Sequence, residues 1–304
     1  MTLFLSSPQP FQKDIKAIAI ESTYNWYWLV DGLMDAGYPV HLANPAGLPQ
    51  RHGLKHADDK SDAFFMAELL RLNILPKGYI YPREERAVRD MLRRRMMLVQ
   101  HRTSHILSFQ GMISRQTGSG MPGNTIKTLE EEDIQDHFDD EYLILIGETN
   151  ISVIRFLTEK IRRFEKEVMK RVKIKPEYEK IQTVPGIGKI LTLTIMLETG
   201  PLSRYAGAGN YASYCQTVKA IHTSNDKKKR KLNQKNGNKY LGWAYIEAAN
   251  YMRRYCPEAK RYHQKKMARS KQVVATKALA SKISKACYYI MRDQVDFDVK
   301  KMFG

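Results

Sequence analysis

The sequence predicts an α/β unit at the start of the chain and a mainly helical remainder. The first part alternates short apolar runs with helical periodicity in the order strand, helix, strand, helix, which is typical of a unit with a parallel strand pair. From residue 83 onwards, apolar residues recur at three-to-four spacing within long charged stretches, which indicates amphipathic helices. We therefore expect three regions, residues 1–82, 83–180 and 181–304.

Each predicted element of the first region has its own signal. Residues 16–21 (K-A-I-A-I-E) form a short apolar run that predicts a buried strand, and residues 38–43 (Y-P-V-H-L-A) predict a second one. A helix over residues 24–36 lies between them, with Ser22 or Thr23 as its cap, and Gly37 ends it. Acidic residues open a second helix over residues 59–72, as the helix dipole favours.

Three carboxylates of this region are candidate metal ligands. Glu21 ends the first strand, and functional sites of such sheets form at the carboxyl ends of strands. Asp59 and Asp62 lie three residues apart, so they share one face of their helix. Together they would make an oxygen site for Mg²⁺ or Mn²⁺, the metals of phosphoryl transfer. The alternative is ordinary first-turn helix charge for the aspartates and a solvent-facing strand end for Glu21.

The middle region predicts two long helices, over residues 83–115 and 142–173. A flexible break at residues 116–124 and an acidic stretch at residues 129–141 separate them. Such a pair indicates a helical hairpin or coiled-coil arm that could assemble copies of the chain. A helical subdomain packed within one monomer is the alternative.

The last region opens with a glycine turn, V-P-G-I-G-K at residues 184–189, followed by an apolar helix to about Leu197. This turn resembles a helix-hairpin-helix, in which the backbone of Gly186 and Gly188 can approach a phosphate closely. A plain tight turn is the alternative. Further helices are expected over residues 239–254, 257–268 and 271–292.

A basic segment at residues 223–240 holds the most distinctive chemistry: T-S-N-D-K-K-K-R-K-L-N-Q-K-N-G-N-K-Y. Ser224 precedes a dense run of cations that suits a phosphodiester backbone and could stabilise charge when a hydroxyl attacks phosphorus. The candidate nucleic-acid contacts here are Lys227, Lys228, Lys229, Arg230, Lys231, Lys235, Asn238 and Lys239. A solvated basic loop with an incidental serine is the alternative.

The distribution of charge supports a polyanionic partner. The formal net charge is +18, and residues 181–304 hold 24 basic against 7 acidic side chains. The three cysteines, Cys215, Cys256 and Cys287, are far apart and lack metal-ligand spacing, which fits a reducing cytoplasm. The chain shows neither a signal peptide nor a membrane-spanning apolar run, so we expect a cytoplasmic protein without a membrane partner.

Two groups of segments, taken together, resemble one family, the DEDD-type insertion-sequence transposases, the IS-one-ten family of RNA-guided recombinases. The first group is I-E-S-T at residues 20–23 with A-D-D-K-S-D-A at residues 57–63. The second resembles the family's C-terminal transposase domain and comprises V-P-G-I-G, Ser224-Asn225, K-N-G-N-K-Y-L at residues 235–241, E-A-A-N at residues 247–250 and A-C-Y-Y at residues 286–289. The resemblance extends from about Lys16 to Phe303.

The resemblance implies a RuvC-like (RNase H-type) first domain whose four acids bind Mg²⁺ or Mn²⁺, a coiled-coil arm, and a serine nucleophile in the C-terminal domain. Glu21, Asp59 and Asp62 match the second, third and fourth acids, and Ser224 matches the nucleophile. It also implies DNA and a non-coding bridge RNA as partners, a homo-oligomer (dimer or tetramer), and a nucleoid-associated location in a prokaryotic cytoplasm. The expected function is therefore a DNA transposase or recombinase.

The pattern departs from the family in two places. The family's first aspartate lies in a G-I-D-type strand upstream of the glutamate, whereas only 20 residues precede Glu21 here and none forms such a strand. We therefore expect a RuvC-like domain that is incomplete at its start. Asp226 and Arg230 stand where relatives tend to have glycine. The alternative functions are a truncated transposase that binds DNA or RNA without cutting, and a junction nuclease that would not need Ser224.

Overall fold

The computed structural model describes residues 1–49, 58–218, 222–224, 227–229 and 237–304. The chain divides into two compact units. One comprises Met1–Pro82 together with Ile221–Gly237, and the other comprises Arg83–Ala220 together with Asn238–Gly304. The long central helices and the C-terminal helices thus belong to one unit.

The first unit contains the predicted parallel pair. A short helix, α1 (Thr2–Leu5), and a 3-10 turn (Gln9–Phe11) precede strand β1 (Ile18–Glu21), helix α2 (Trp26–Asp35), strand β2 (Val40–Ala43), a 3-10 turn (Pro45–Gly47) and helix α3 (Asp59–Arg71). β1 and β2 pair in parallel from Ile18 opposite Val40 to Glu21 opposite Ala43. The predicted order and pairing are confirmed, although each strand begins two residues later than expected.

Apolar residues lie on both faces of the pair, whose strands are partly buried. Ile20 and Leu42 pack with Val30 and Leu33 of α2 in one cluster. Ala43 packs with Leu69 of α3 in a second cluster, to which Ala19 contributes. Because successive strand residues point to opposite faces, this alternation places one helix on each side of the sheet.

A helical hairpin forms the first part of the second unit. Helix α4 (Arg83–Thr117) and helix α6 (Glu141–Arg171) flank the short helix α5 (Gly123–Ile126) and a 3-10 turn (Glu132–Asp136). The distal halves of α4 and α6 share a cluster that includes Phe109 and Ile151. Leu92 and Val168, at the other end, belong to the core of the C-terminal helices. The structure thus shows the predicted hairpin and its packing within the chain, and its role in assembly stays a prediction.

Short and long helices alternate in the remainder of the second unit. They are α7 (Pro176–Glu179), a 3-10 turn (Lys180–Thr183), α8 (Lys189–Thr199), a 3-10 turn (Leu202–Arg204), α9 (Ala208–Tyr214), α10 (Lys239–Tyr255), α11 (Pro257–Met267), α12 (Gln272–Asp293) and α13 (Val299–Phe303). The helices predicted after residue 184 are confirmed within two residues at each end.

The core between these helices is tightly closed. The Tyr211 and Tyr245 hydroxyls are completely buried and lie 2.7 Å apart, and Thr199 continues this chain of hydroxyls at 3.0 Å from Tyr211. The three cysteines are buried and free. Burial raises the pKa of the Cys287 thiol to about 12, so this thiol stays protonated and unreactive at neutral pH.

A short antiparallel pair interrupts the helical sequence between α9 and α10. Strand β3 (His222–Ser224) pairs with strand β4 (Lys227–Lys229), and both belong to the first unit. The sequence predicted a basic loop here and missed this pairing, because a run of lysines has little strand propensity by itself. None of the helices in the described part of the chain is long and apolar enough to cross a membrane.

Candidate active site and nucleic-acid interface

The three predicted acids lie where β1 ends and α3 begins. Glu21 is the last residue of β1 and is exposed, and Asp59 and Asp62 are exposed in the first turn of α3. Apolar residues of α3 and Ala19 of β1 share a cluster, so the helix lies against this strand. The local order of strand end and helix start follows the prediction.

A capping box sets where α3 begins. The Asp58 carboxylate accepts a hydrogen bond from the Ser61 backbone N–H at 2.7 Å, and the Asp58 N–H donates to the Ser61 hydroxyl at 3.2 Å. This reciprocal pair satisfies backbone donors that the first helical turn leaves open. Asp58 is therefore committed to the backbone, and the neighbouring Asp59 and Asp62 carry the charge of the first turn.

The acids match a hard divalent cation in chemistry but are not gathered around one point. Carboxylate oxygens are the ligands that Mg²⁺ and Mn²⁺ prefer. Among the residues with described positions, no three or more His, Cys, Asp or Glu side chains are arranged to hold a metal ion. The assignment of Glu21, Asp59 and Asp62 as metal ligands stays a prediction.

The backbone register pairs Ser224 with the first lysine of the basic run. Ser224 pairs with Lys227, Thr223 with Lys228 and His222 with Lys229. Opposite residues of an antiparallel pair have Cα atoms about 4.5–5.5 Å apart. Ser224 therefore stands at the end of β3 directly opposite the first lysine of the run. The candidate contacts Arg230, Lys231 and Lys235 lie outside the described residues, as do Asn225 and Asp226.

The compact units group the hairpin of β3 and β4 with the acids. Ser224 lies about 200 residues after Glu21 in sequence, yet both belong to the unit that comprises Met1–Pro82 and Ile221–Gly237. The flanking helices α9 and α10 belong to the other unit. Residues 221–237 therefore form an excursion in sequence: they belong to the unit of the carboxylates, whereas the chain before and after them belongs to the helical unit.

Asn238 closes the start of α10 immediately after this excursion. It is 6% exposed, and its Oδ1 accepts from the backbone N–H groups of Tyr240 at 2.9 Å and Leu241 at 3.2 Å. Its own N–H donates to the carbonyl of Tyr214, at the end of α9, at 2.6 Å. We predicted Asn238 as a nucleic-acid contact. The structure buries it, and its hydrogen bonds join the end of α9 to the start of α10.

A buried carboxylate, that of Glu198, links Asn238 at the start of α10 to helix α4. Glu198 of α8 is 2% exposed and accepts from Asn238 Nδ2 at 2.7 Å. Arg89 of α4 donates to the same carboxylate through Nε at 3.1 Å and Nη2 at 2.9 Å, and Arg93 donates at 2.5 and 2.8 Å. The Arg93 guanidinium also lies 4.2 Å from the centre of the Tyr240 ring. We call Arg89, Arg93, Glu198 and Asn238 the anchor cluster.

Sequence reasoning missed the anchor cluster, although it left a signal. Glu198 is the one acidic residue in K-I-L-T-L-T-I-M-L-E-T, which is otherwise almost entirely apolar or hydroxyl-bearing. Arg89 and Arg93 lie four residues apart and flank the buried Leu92. A charge inside a buried stripe needs a partner of opposite charge, so these three residues could have been paired.

Lys239, next to Asn238, remains available to a ligand. Its side chain is exposed, and its ammonium lies 5.2 Å from the centre of the Tyr240 ring. Among the described candidate contacts, Lys239 is therefore an exposed cation at the junction of the excursion and α10. This position keeps it within the predicted basic surface.

The two glycines of the P-G-I-G turn have different surroundings. Gly186 has φ +95°, and a Cβ there would lie 2.7 Å from the Ala248 carbonyl and from the Met252 nitrogen of α10. It is therefore required for packing of the turn against α10. A Cβ at Gly188 would meet nothing within 4 Å, and Gly188 is exposed at the start of α8. A phosphate can approach the backbone at Gly188, whereas Gly186 is half-buried and its Cβ position is blocked by α10.

These features define a protein with an α/β unit that contains carboxylates and a basic serine hairpin, and a helical unit with a positively charged C-terminal part. Residues 178–264 match the family model described as Transposase IS116/IS110/IS902 family. No curated protein matches the chain. The matched segment contains the P-G-I-G turn, the hairpin of β3 and β4 with Ser224, and Asn238. It supports a transposase or recombinase function with DNA as the partner.

Proposed function

We propose that this protein is a DNA transposase or recombinase that cleaves and rejoins strands through Ser224. The observation that carries the proposal is the match of residues 178–264 to the transposase family, because this segment encloses the serine and its basic hairpin. Ser224 and the candidate acids belong to the same compact unit, which further supports the proposal. The proposal therefore assigns the chemistry of the family to one hydroxyl, that of Ser224.

The proposed step is attack of the Ser224 hydroxyl on a phosphodiester. A bond forms between the serine Oγ and phosphorus, and the bond from phosphorus to one deoxyribose oxygen breaks. The proton of the serine hydroxyl ends on the departing sugar oxygen, which becomes a free hydroxyl. The phosphoserine linkage conserves the energy of the broken bond, so the reverse attack by another sugar hydroxyl can rejoin a strand without external energy.

The cations of the hairpin supply binding and charge stabilisation. Lys227 lies opposite Ser224, so an ammonium close to the scissile phosphate would stabilise the charge that develops on its oxygens. Lys228 and Lys229 continue the basic run, with Arg230, Lys231, Lys235 and Lys239 after them in sequence. These residues would bind the phosphate backbone with displacement of counterions.

The acids complete the proposed site. We assign Glu21, Asp59 and Asp62 as its carboxylates on the basis of the resemblance and of their position where β1 ends and α3 begins. Mg²⁺ or Mn²⁺ is the cation that such oxygens would select. The requirement for the acids is testable independently of the serine.

The same resemblance leads us to propose a bridge RNA and a homo-oligomer as partners. A basic surface binds RNA and DNA through the same phosphate contacts, so the charge pattern suits both. The hairpin of α4 and α6 is the element that we assign to assembly.

The decisive experiment detects the covalent intermediate. The protein is incubated with end-labelled element-junction DNA, its candidate RNA and Mg²⁺, and the products are separated on a denaturing gel. We expect a protein-linked DNA band that disappears in Ser224→Ala and in Asp59→Ala. Ser213→Ala is the matched control, because Ser213 is an exposed serine of α9 outside the proposed site.

The possible outcomes separate the candidate functions. A band that persists in Ser224→Ala would exclude this serine as the nucleophile. No band, together with a retarded DNA or RNA complex on a native gel, would indicate a protein that binds without cutting. Strand cleavage that is independent of Ser224 would favour the junction nuclease.

A further inference from the structure

A surface pocket beside the P-G-I-G turn has no role in the proposed reaction. The turn, the start of α8 and the C-terminal end of α10 line an open pocket with a volume of about 550 Å³. Its lining includes Pro185, Gly188, Lys189, Tyr251 and Tyr255. The volume falls within the range of roughly 300–1,000 Å³ that is usual for small-ligand sites.

Two exposed tyrosines form one wall of this pocket. Tyr251 is 42% exposed and Tyr255 is 70% exposed, and their spacing of four residues places them on one face of α10. In contrast, Tyr245 of the same helix faces the core and is completely buried. Aromatic rings that line an open pocket present faces on which a planar ligand can stack.

The charged residue of the described pocket lining is a cation. Lys189 belongs to the lining, and the Arg254 guanidinium lies 5.5 Å from the centre of the Tyr251 ring. The described residues of the lining include no carboxylate. Such a site would attract an anionic ligand with an aromatic part.

The geometry points to a nucleotide-binding pocket in which an unpaired base stacks against Tyr251 and Tyr255. The inference rests on the proposed function for the nature of the ligand, a nucleic acid, and adds a contact to a base rather than to the backbone. Stacking on aromatic side chains is the usual way in which proteins hold single-stranded nucleic acid, because every base offers a π-face. A base within an intact duplex is not available to such a wall.

The open backbone at Gly188 is consistent with this occupant. Gly188 lines the pocket, and nothing in the described chain lies within 4 Å of the Cβ position there. A sugar-phosphate chain could therefore pass close to the turn while its base enters the pocket. Gly186 also lines the pocket, but its Cβ position faces the α10 backbone, so its role is to pack the turn against the helix that carries the tyrosines.

The test measures stacking in the full chain, without catalysis. A short single-stranded oligonucleotide that contains 2-aminopurine is titrated with the Ser224→Ala protein, and binding is followed by quenching of fluorescence. We expect Tyr251→Ala and Tyr255→Ala to weaken binding roughly 5- to 100-fold, with less quenching at saturation. Affinity for a fully paired duplex should stay within twofold.

Two controls separate stacking from other effects. Tyr255→Phe retains the ring and should bind the oligonucleotide like the parent, whereas Tyr142→Ala removes an exposed tyrosine of α6 and should change nothing. Loss of stacking should leave the dependence of affinity on salt unchanged, because no phosphate contact is removed. Circular dichroism checks the fold of each variant, and alanine retains the Tyr251 Cβ that packs near Gly186.

The inference is overturned if the alanine variants bind the single strand like the parent. It is also overturned if they lose single strand and duplex equally, or if they alter only self-association in light scattering. Fluorescence quenching by the Ser224→Ala protein that depends on the two tyrosines, together with no covalent adduct in the protein that retains Ser224, would support the pocket and reject the proposed reaction. The two proposals can therefore fail separately.

Discussion

Glu198 holds together residues from α4, α8 and the start of α10, although it contacts no predicted catalytic group. Two arginines and one amide donate to its carboxylate, and Glu198 and Arg89 are 2% and 6% exposed. A buried ion pair adds little net stability compared with apolar residues, but removal of one partner leaves an uncompensated charge in the interior. The anchor cluster is therefore sensitive to single substitutions.

We expect Glu198→Ala to lower the free energy of unfolding by about 3–5 kcal/mol, because the Arg89 guanidinium would remain buried without its carboxylate. Chemical denaturation followed by circular dichroism measures this change. Glu167→Ala is the matched control, since Glu167 pairs with Arg171 at the surface. That pair should contribute about 0–1 kcal/mol. Equal effects of the two substitutions would contradict the role of the anchor cluster.

We expect His263 to make the stability of the helical unit depend on pH. It is 4% exposed and lies 3.1 Å from the Thr276 hydroxyl. Burial, with a smaller contribution from Arg253, lowers the pKa of His263 below its ordinary value of 6.5. The folded protein therefore holds a neutral imidazole at a pH where the unfolded chain already binds a proton.

The resulting prediction concerns mild acid. The stabilisation is present above the unfolded pKa and is lost as the pH falls through the folded pKa, so the melting temperature should drop as the pH falls below the ordinary histidine value of 6.5. His263→Gln should reduce this drop, because glutamine does not titrate. His101→Gln, at an exposed position of α4, should leave it unchanged. Melting curves of the three proteins over this fall in pH would show an equal drop if His263 had no part in it.

At the scale of elements, the P-G-I-G turn and α10 fit together through one glycine. The turn comes within contact distance of the α10 backbone at Gly186, whereas Gly188 faces open space. The same short motif thus combines a packing position with a surface position. The distinction could not be made from the letters of the motif, because both positions hold glycine.

Alanine substitutions at the two glycines should therefore differ in their effect on the free energy of unfolding. Gly186→Ala places a Cβ 2.7 Å from two backbone atoms at a positive φ, and we expect it to cost at least about 1–3 kcal/mol of stability. Gly188→Ala should change stability by about 1 kcal/mol or less. Parallel denaturation curves measure both. A milder effect at Gly186 than at Gly188 would show that the turn does not pack on α10 as described.

For the whole molecule, the concentration of basic side chains in one region predicts how nucleic-acid binding responds to salt. The excess of basic side chains lies in residues 181–304, and the described part of that surface includes the exposed Lys239. Each phosphate contact releases counterions, so the logarithm of the binding constant should fall linearly with the logarithm of the salt concentration.

We expect Lys239→Ala to weaken DNA binding and to reduce the magnitude of that salt slope by about one. Lys170→Ala is the control, because it removes an exposed lysine of α6 outside the basic region. Fluorescence anisotropy over a salt series gives both slopes. Identical slopes for the two variants would place Lys239 outside the DNA contact.

Much of this organisation follows from the sequence alone. The order of strands and helices in the first unit, the parallel pair, the hairpin and the helix limits after residue 184 were predictable, since apolar periodicity and capping residues act over a few neighbouring positions. The basic segment and its serine were equally visible, because charge density is a property of composition.

Only the tertiary structure decided the roles of residues that meet across long distances in the chain. Asn238 and Gly186 were expected at the nucleic-acid surface, yet Asn238 bonds to Glu198 and Gly186 packs on α10. Their neighbours are 40 or more residues away in sequence, and the identity of such neighbours depends on how the helices pack. The local pattern determined the elements, and non-local packing decided which side of each element meets solvent.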